Sequence, residues 1–208
     1  PAAPTHETEI VVKEEGLEGG SVASGDAEKA TWTAPEGYTI EKIVTNGSHG
    51  TAAIEVDGKL TYTLTENLLE PGEGKNTVEK ADKVTVTLKD GKGNTYDVTI
   101  DVDIVDDVPN ISAAISSGAV DAGSEVSGKV TITWGADGKA ETDHITVNGK
   151  GGTVDGKNLV FELDNGTLTL KEDGNYTFKA NANIDKTTQT LLFKVTDKDG
   201  DTSTAEVD

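Results

Sequence analysis

Apolar residues alternate with polar ones along most of this chain, in short runs separated by Gly, Asp and Asn. In the first half, Val84, Val86 and Leu88 share a face, and Tyr96, Val98, Ile100, Val102 and Ile104 continue it after Asp90-Gly91-Lys92-Gly93-Asn94. In the second half, Leu191, Phe193 and Val195 precede Asp197-Lys198-Asp199-Gly200-Asp201, and Ala205 and Val207 follow it. Period-two patterning on both sides of a Gly/Asp segment predicts a β-hairpin. Further strands are predicted at Thr8–Val12, Ala30–Thr33 and Tyr38–Val44, with a hairpin of Thr51–Val56 and Leu60–Leu64 across the two-residue turn Asp57-Gly58. Beyond Pro109 the runs are Ile111–Ile115, Val130–Trp134, His144–Val147, Leu159–Leu163, Thr167–Leu170 and Tyr176–Ala180. Roughly seven short strands in each half, about ten residues apart, form the pattern of an antiparallel sandwich. No long run has helical spacing. Trp32 reads as core, Glu14–Gly20 as an acidic turn, solvated or with Glu14 or Glu15 contributing oxygen ligands, the former being expected, and Asn67–Lys80 as a surface loop or short helical turn.

The two halves repeat one another. Thr31-Trp32 matches Thr133-Trp134, Gly50–Tyr62 matches Gly166–Phe178, and Leu88 and Tyr96 match Val195 and Ser203 at one constant offset. Pro4 and Pro109 open the copies, so the repeat is about 105 residues long, an ordinary domain size. The domains are placed at residues 1–107 and 108–208. The final strand of the second copy is shorter than its counterpart, so the chain reads as a segment of a longer array.

Charge narrows the partners. There are 38 acidic residues against 18 basic ones, a formal net charge of −20, and every basic residue is Lys. Nucleic acid and anionic membranes would be repelled. No apolar stretch approaches a membrane span, so membrane insertion is not expected. The absence of Cys excludes disulfides and thiolate metal sites. His6, His49 and His144 are isolated, no Gly-rich loop precedes a helix, and no Ser lies in a nucleophile elbow. No enzyme is expected.

The turns carry the candidate chemistry. Asp197, Asp199 and Asp201 crowd three carboxylates into five positions. A solvated Asp/Gly turn is one reading. The other is Ca²⁺, which takes six to eight hard oxygen ligands from flexible loops. The first copy keeps oxygens at Asp90 and Asn94 but has Lys92 in the middle, so it is expected to bind calcium weakly or not at all. The junction Val105-Asp106-Asp107-Val108-Pro109 is short and stiff. Asp106 and Asp107 are expected to share an ion with a loop of the second domain, Gly135-Ala136-Asp137-Gly138 being the expected partner.

Gly166–Phe178 together with Val195–Thr202 resembles the tandem repeats of giant bacterial adhesins exported by type I secretion, the RTX or large adhesion proteins. Glu14–Leu17 and Asp106–Pro109 look like the start and junction of such repeats. The resemblance is looser in the first copy, where Asn67–Lys80 and Lys92 depart from it. It implies an all-β fold of two tandem immunoglobulin-like antiparallel β-sandwich domains, with Ca²⁺ at turns and between domains. It also implies secretion to the bacterial cell surface, where calcium-stiffened, monomeric extender domains contact neighbouring repeats. Other regions of such a protein would touch a host or abiotic surface in adhesion and biofilm formation. The alternative is a module recognising a surface glycan or protein, for which Tyr38 is the candidate aromatic platform.

Overall fold

A computed structural model of the chain describes residues 8–21, 26–69, 74–115, 122–182 and 190–208. They form two compact units, one ending at Asp107 and the other beginning at Val108. Both are β-sandwiches, and no helix among the described residues is long and apolar enough to cross a membrane.

The first unit contains β1 (Glu9–Lys13), β2 (Lys29–Trp32), β3 (Tyr38–Asn46), β4 (Gly50–Ile54), β5 (Leu60–Leu64), β6 (Thr77–Asp90) and β7 (Thr95–Val105). One sheet runs β1-β7-β6-β3 and the other β2-β5-β4. β1 lies parallel to β7, Glu9 opposite Asp101 and Lys13 opposite Val105. All other pairings in the unit are antiparallel. The alternating apolar residues meet in one core that includes Val12, Trp32, Leu60, Tyr62, Leu88 and Ile100. Each such side chain contributes roughly 1.5–3 kcal/mol by leaving water.

Three expectations change here. Thr77–Lys80 is not loop but the start of β6, where Val78 pairs with Ile104. Pairing resumes at Asp82 opposite Val102, so Glu79, Lys80 and Ala81 bulge against Asp103 alone. Lys80 takes φ +55 there and its N–H donates to Asp103 Oδ1 at 2.7 Å, which buries a side chain that alternation would leave in water. Val56 lies outside β4, fully exposed in a five-residue turn, because Ile54 already pairs with Leu60. Glu14, read as solvated, is buried, and its carboxylate accepts from the Leu68 N–H.

The second unit contains β8 (Asn110–Ile115), β9 (Glu125–Thr133), β10 (Ile145–Val147), β11 (Lys150–Gly151), β12 (Thr153–Asp155) and β13 (Asn158–Leu163). It continues through β14 (Gly166–Leu170), β15 (Asn175–Ala180), β16 (Leu191–Thr196) and β17 (Thr202–Val207). Its sheets run β11-β10-β16-β17 and β12-β13-β14-β15-β9-β8. The plan therefore differs from the first unit in its opening strand: β8 pairs antiparallel with β9, whereas β1 pairs parallel with β7. The core includes Val147, Phe161, Leu168, Phe178, Phe193 and Val195.

Candidate metal centre

Four turns of the chain share one backbone design. In Glu55–Lys59, Asp90–Asn94, Lys171–Asn175 and Asp197–Asp201 the first N–H donates to the fifth carbonyl at 2.8–3.0 Å. The fourth residue is always Gly at positive φ, from +81° to +111°. Only glycine enters that region without steric penalty. The design is common to the four turns, so their chemistry differs only through the side chains at the other positions.

Asp173 uses its carboxylate locally: Oδ1 accepts from the Asn175 N–H at 2.9 Å and Oδ2 from the Asn175 amide at 2.7 Å. Asp90 does the same. Its Oδ1 accepts from the N–H groups of Lys92 and Asn94, and Oδ2 from the Asn94 side chain, each at 2.8 Å. These bonds, the Asn94 side chain first, hold the Asp90 carboxyl below its usual range. Asn94 thus turns its amide nitrogen to Asp90, and the turn is satisfied by its own atoms.

The Asp197 turn is different. Asp197 and Asp201 are fully buried, and Asp199 is half-buried. Asp197 Oδ1 accepts from the N–H groups of Gly200 at 3.1 Å and Asp201 at 2.7 Å. Its Oδ2 and that of Asp199 are buried without a hydrogen-bond partner. Such orphaned buried oxygens demand an explanation, an ion among them. Burial first, and then the adjoining Asp199 carboxyl, push the Asp197 carboxyl up to about 8.

A fourth carboxylate arrives from the loop after β9. Lys139 bridges to Asp197, the Ala140 N–H donates to the Thr196 carbonyl, and the Lys198 N–H donates to the Gly138 carbonyl, the last two at 3.1 Å. Gly135 and Gly138 take φ of +78° and +74° to make the loop tight enough. Asp137 is thereby buried, and Asp137, Asp197 and Asp199 offer oxygens within 4.8 Å of one another. Asp199 and Asp201 also approach within 4.8 Å. The structure thus brings the 135–138 loop against the Asp197 turn. An all-carboxylate set on turns fits a hard cation that prefers oxygen, and lacks the nitrogen or sulfur donors typical of zinc.

In the first unit, Asp106 and Asp107 are buried. Asp107 Oδ2 accepts from the Ser21 N–H at 2.7 Å, and Oδ1 from the Ser21 hydroxyl. Carboxylate oxygens of Asp106 and Glu14 approach within 4.8 Å of each other. A signal for Glu14 existed in the sequence: it continues the inward period set by Ile10 and Val12. Among the described residues, Asp90 joins no such group of carboxylates.

A family model described as "Bacterial Ig domain" matches residues 2–103 and 106–208. The chain belongs to this family of immunoglobulin-like domains, in two tandem copies. No curated protein matches it significantly. Among solved structures, it is similar to the N-terminal eight Ig domains of Down syndrome cell adhesion molecule, at 12% identity and TM-score 0.35, covering 97% of this chain and 26% of that one. It is also similar to a tetra-tandem repeat from the extending region of a large adhesion protein, at 16% identity and TM-score 0.23, covering 75% and 36%. A third likeness is the C-terminal domain of the Streptococcus agalactiae AgI/II polypeptide BspA, at 11% identity and TM-score 0.23, covering 85% and 81%. The chain spans about a quarter of the first of these.

Proposed function

We propose that these domains are calcium-stabilised spacers of a large bacterial adhesion protein outside the cell, holding a separate binding region away from the surface. The observation that carries this is the buried set Asp137, Asp197, Asp199 and Asp201 on the second unit. Several carboxylates in one buried place destabilise the fold unless a cation joins them. Extracellular fluid supplies millimolar Ca²⁺, and turns of this type bind it over a wide affinity range. The match to two tandem bacterial immunoglobulin-like domains supports a spacing role. The acidic, cysteine-free composition supports export by the type I route and folding on meeting calcium, with biofilm attachment as the setting.

Isothermal titration of the chelated chain with Ca²⁺ tests the reading. Saturable binding is expected, and Asp197→Asn should remove the component that belongs to the second unit. A flat titration at millimolar calcium would overturn the proposal.

A further inference from the structure

The two matching tryptophans meet different fates. Trp32 is buried in the first core, whereas Trp134 is half-buried and lines a cleft of about 610 Å³ in the second unit. Its counterpart in the first copy would not have suggested this. The cleft opens where β9, the β12–β13 turn and the β14–β15 turn come together. That volume lies within the range of small-ligand sites. His144 stands edge-to-face to Trp134, ring centroids 5.7 Å apart at 66°. Val154, 71% exposed, adds an apolar wall.

Charge sets this cleft apart from the rest of the molecule. Lys129, Lys139, Lys157 and Lys171 line it, against the two carboxylates of Glu172 and Asp173, in a chain of net charge −20. Lys157 is held 3.6 Å from Glu172, and Asp173 is occupied by Asn175. Among the described residues, Lys129, Lys139 and Lys171 form no ion pair within 4.0 Å. Burial first, and the Lys139 charge second, hold His144 below the usual imidazole range, so at neutral pH it is an uncharged hydrogen-bonding group.

We propose that this cleft binds an acidic saccharide, one pyranose ring packing on Trp134 and its carboxylate meeting the lysines around the rim. An aromatic face attracts the polarised C–H groups of a sugar ring. The lysines supply point charges without fixed geometry, which suits a flexible anionic chain. The proposal stands apart from the calcium reading, because none of the carboxylates of that set lines the cleft.

The test uses the whole chain in calcium-containing buffer, with circular dichroism and melting temperature confirming the fold of every sample. Tri-galacturonate is the probe, maltotriose the neutral control and hexaglutamate the peptide anion. Tryptophan fluorescence and amide NMR shifts report binding. Tri-galacturonate is expected to bind saturably with shifts centred on Trp134 and His144, while maltotriose and hexaglutamate bind at least tenfold more weakly. The exposed double variant Lys139→Gln/Lys171→Gln should weaken binding about fourfold, roughly twofold for each exposed ion pair. Trp134→Leu should abolish the fluorescence change and weaken binding about tenfold. Absence of saturable binding, indifference to the lysine changes in a folded variant, or equal binding of hexaglutamate overturns the proposal, the last by marking a charge patch with no sugar recognition.

Discussion

Replacing Asp197 by Asn gives opposite effects with and without calcium, and the structure sets their size. The amide keeps an oxygen for the N–H groups of Gly200 and Asp201 but removes one negative charge. Two carboxylates whose oxygens lie within 4.8 Å repel by about 3.5 kcal/mol or more at an effective dielectric constant of 20. Partial exposure of Asp199 screens this to roughly 1–2 kcal/mol. Without an ion and above about pH 8, where both carboxyls are ionised, Asp197→Asn should therefore stabilise the second unit by about 1–2 kcal/mol, a rise in Tm on the order of 4–16 °C for a domain of this size. With calcium at about 100 times its Kd, the unsubstituted chain gains about 2.7 kcal/mol, and the variant loses most of that gain. The order of stability inverts: the variant melts higher in EDTA, the parent melts higher in calcium. Differential scanning calorimetry of both chains in both buffers reads this directly. If Asp197→Asn lowers Tm equally in EDTA and in calcium, the carboxylate is an ordinary hydrogen-bond acceptor and the cation argument fails.

Other perturbations test the rest of the fold. Tyr62 donates to Asp82 Oδ2 at 2.6 Å inside the first unit, so Tyr62→Phe should cost roughly 1–3 kcal/mol in urea unfolding with an unchanged m-value. Burial pushes the Asp82 carboxyl upward as the largest single effect, but the Tyr62 hydroxyl and the N–H groups of His49, Ser48 and Lys83 together hold it below 3.8. A depressed carboxyl contributes stability that is fully present above its unfolded value and is lost as pH falls through the folded one. The first unit should thus lose stability below about pH 4 by more than an Asp82→Asn variant does, measured by urea midpoints across pH. A Cβ at Gly174 would sit 2.3 Å from the Val130 carbonyl oxygen, while one at Gly58, in the same turn position, meets nothing within 4 Å. Both have positive φ, so Gly58→Ala should cost about 1 kcal/mol and Gly174→Ala clearly more, which thermal melts separate. Lys92→Asp should not create calcium-dependent melting in the first unit, because Asp90 is already satisfied by Lys92 N–H and Asn94.

Much of this was legible, because a β-sandwich writes itself in period two. The strands around Val84–Leu88, Tyr96–Ile104 and Leu191–Val195 lie where alternation put them, and the inward faces are buried. The misreadings have one physical origin. Local patterns do not reveal a register shift, so the bulge over Glu79–Ala81, and with it the burial of Asp103, was invisible. Nor do they reveal how far a ladder runs past its last pair, which is why Val56 was assigned to a strand and Thr77–Lys80 to a loop.

Four of the buried acids obey the same period as the core. Glu14 follows Ile10 and Val12, Asp82 precedes Val84 and Val86, Asp106 follows Val102 and Ile104, and Asp197 follows Phe193 and Val195, each two residues along the inward face. A carboxylate at the end of an inward row is carried to the rim of the sandwich, half inside it, where desolvation is severe and turns supply ligands or donors. Asp82 is met by N–H and hydroxyl donors and becomes a clamp. Asp197 is met by other carboxylates. Inward parity is not sufficient on its own: Asp90 occupies the place that Asp197 has in the repeat, yet it remains partly exposed and bonded to its own turn. The difference lies in two side chains, Lys92 and Asn94 against Asp199 and Asp201, and in a facing loop that delivers buried Asp137 where the Trp32–Trp134 match places Pro35. A transplant of all three acids, Pro35→Asp, Lys92→Asp and Asn94→Asp together, should therefore make the first unit's melting respond to calcium. An unresponsive triple variant that still folds would show that the cation set needs the backbone of the second copy and not merely its residues.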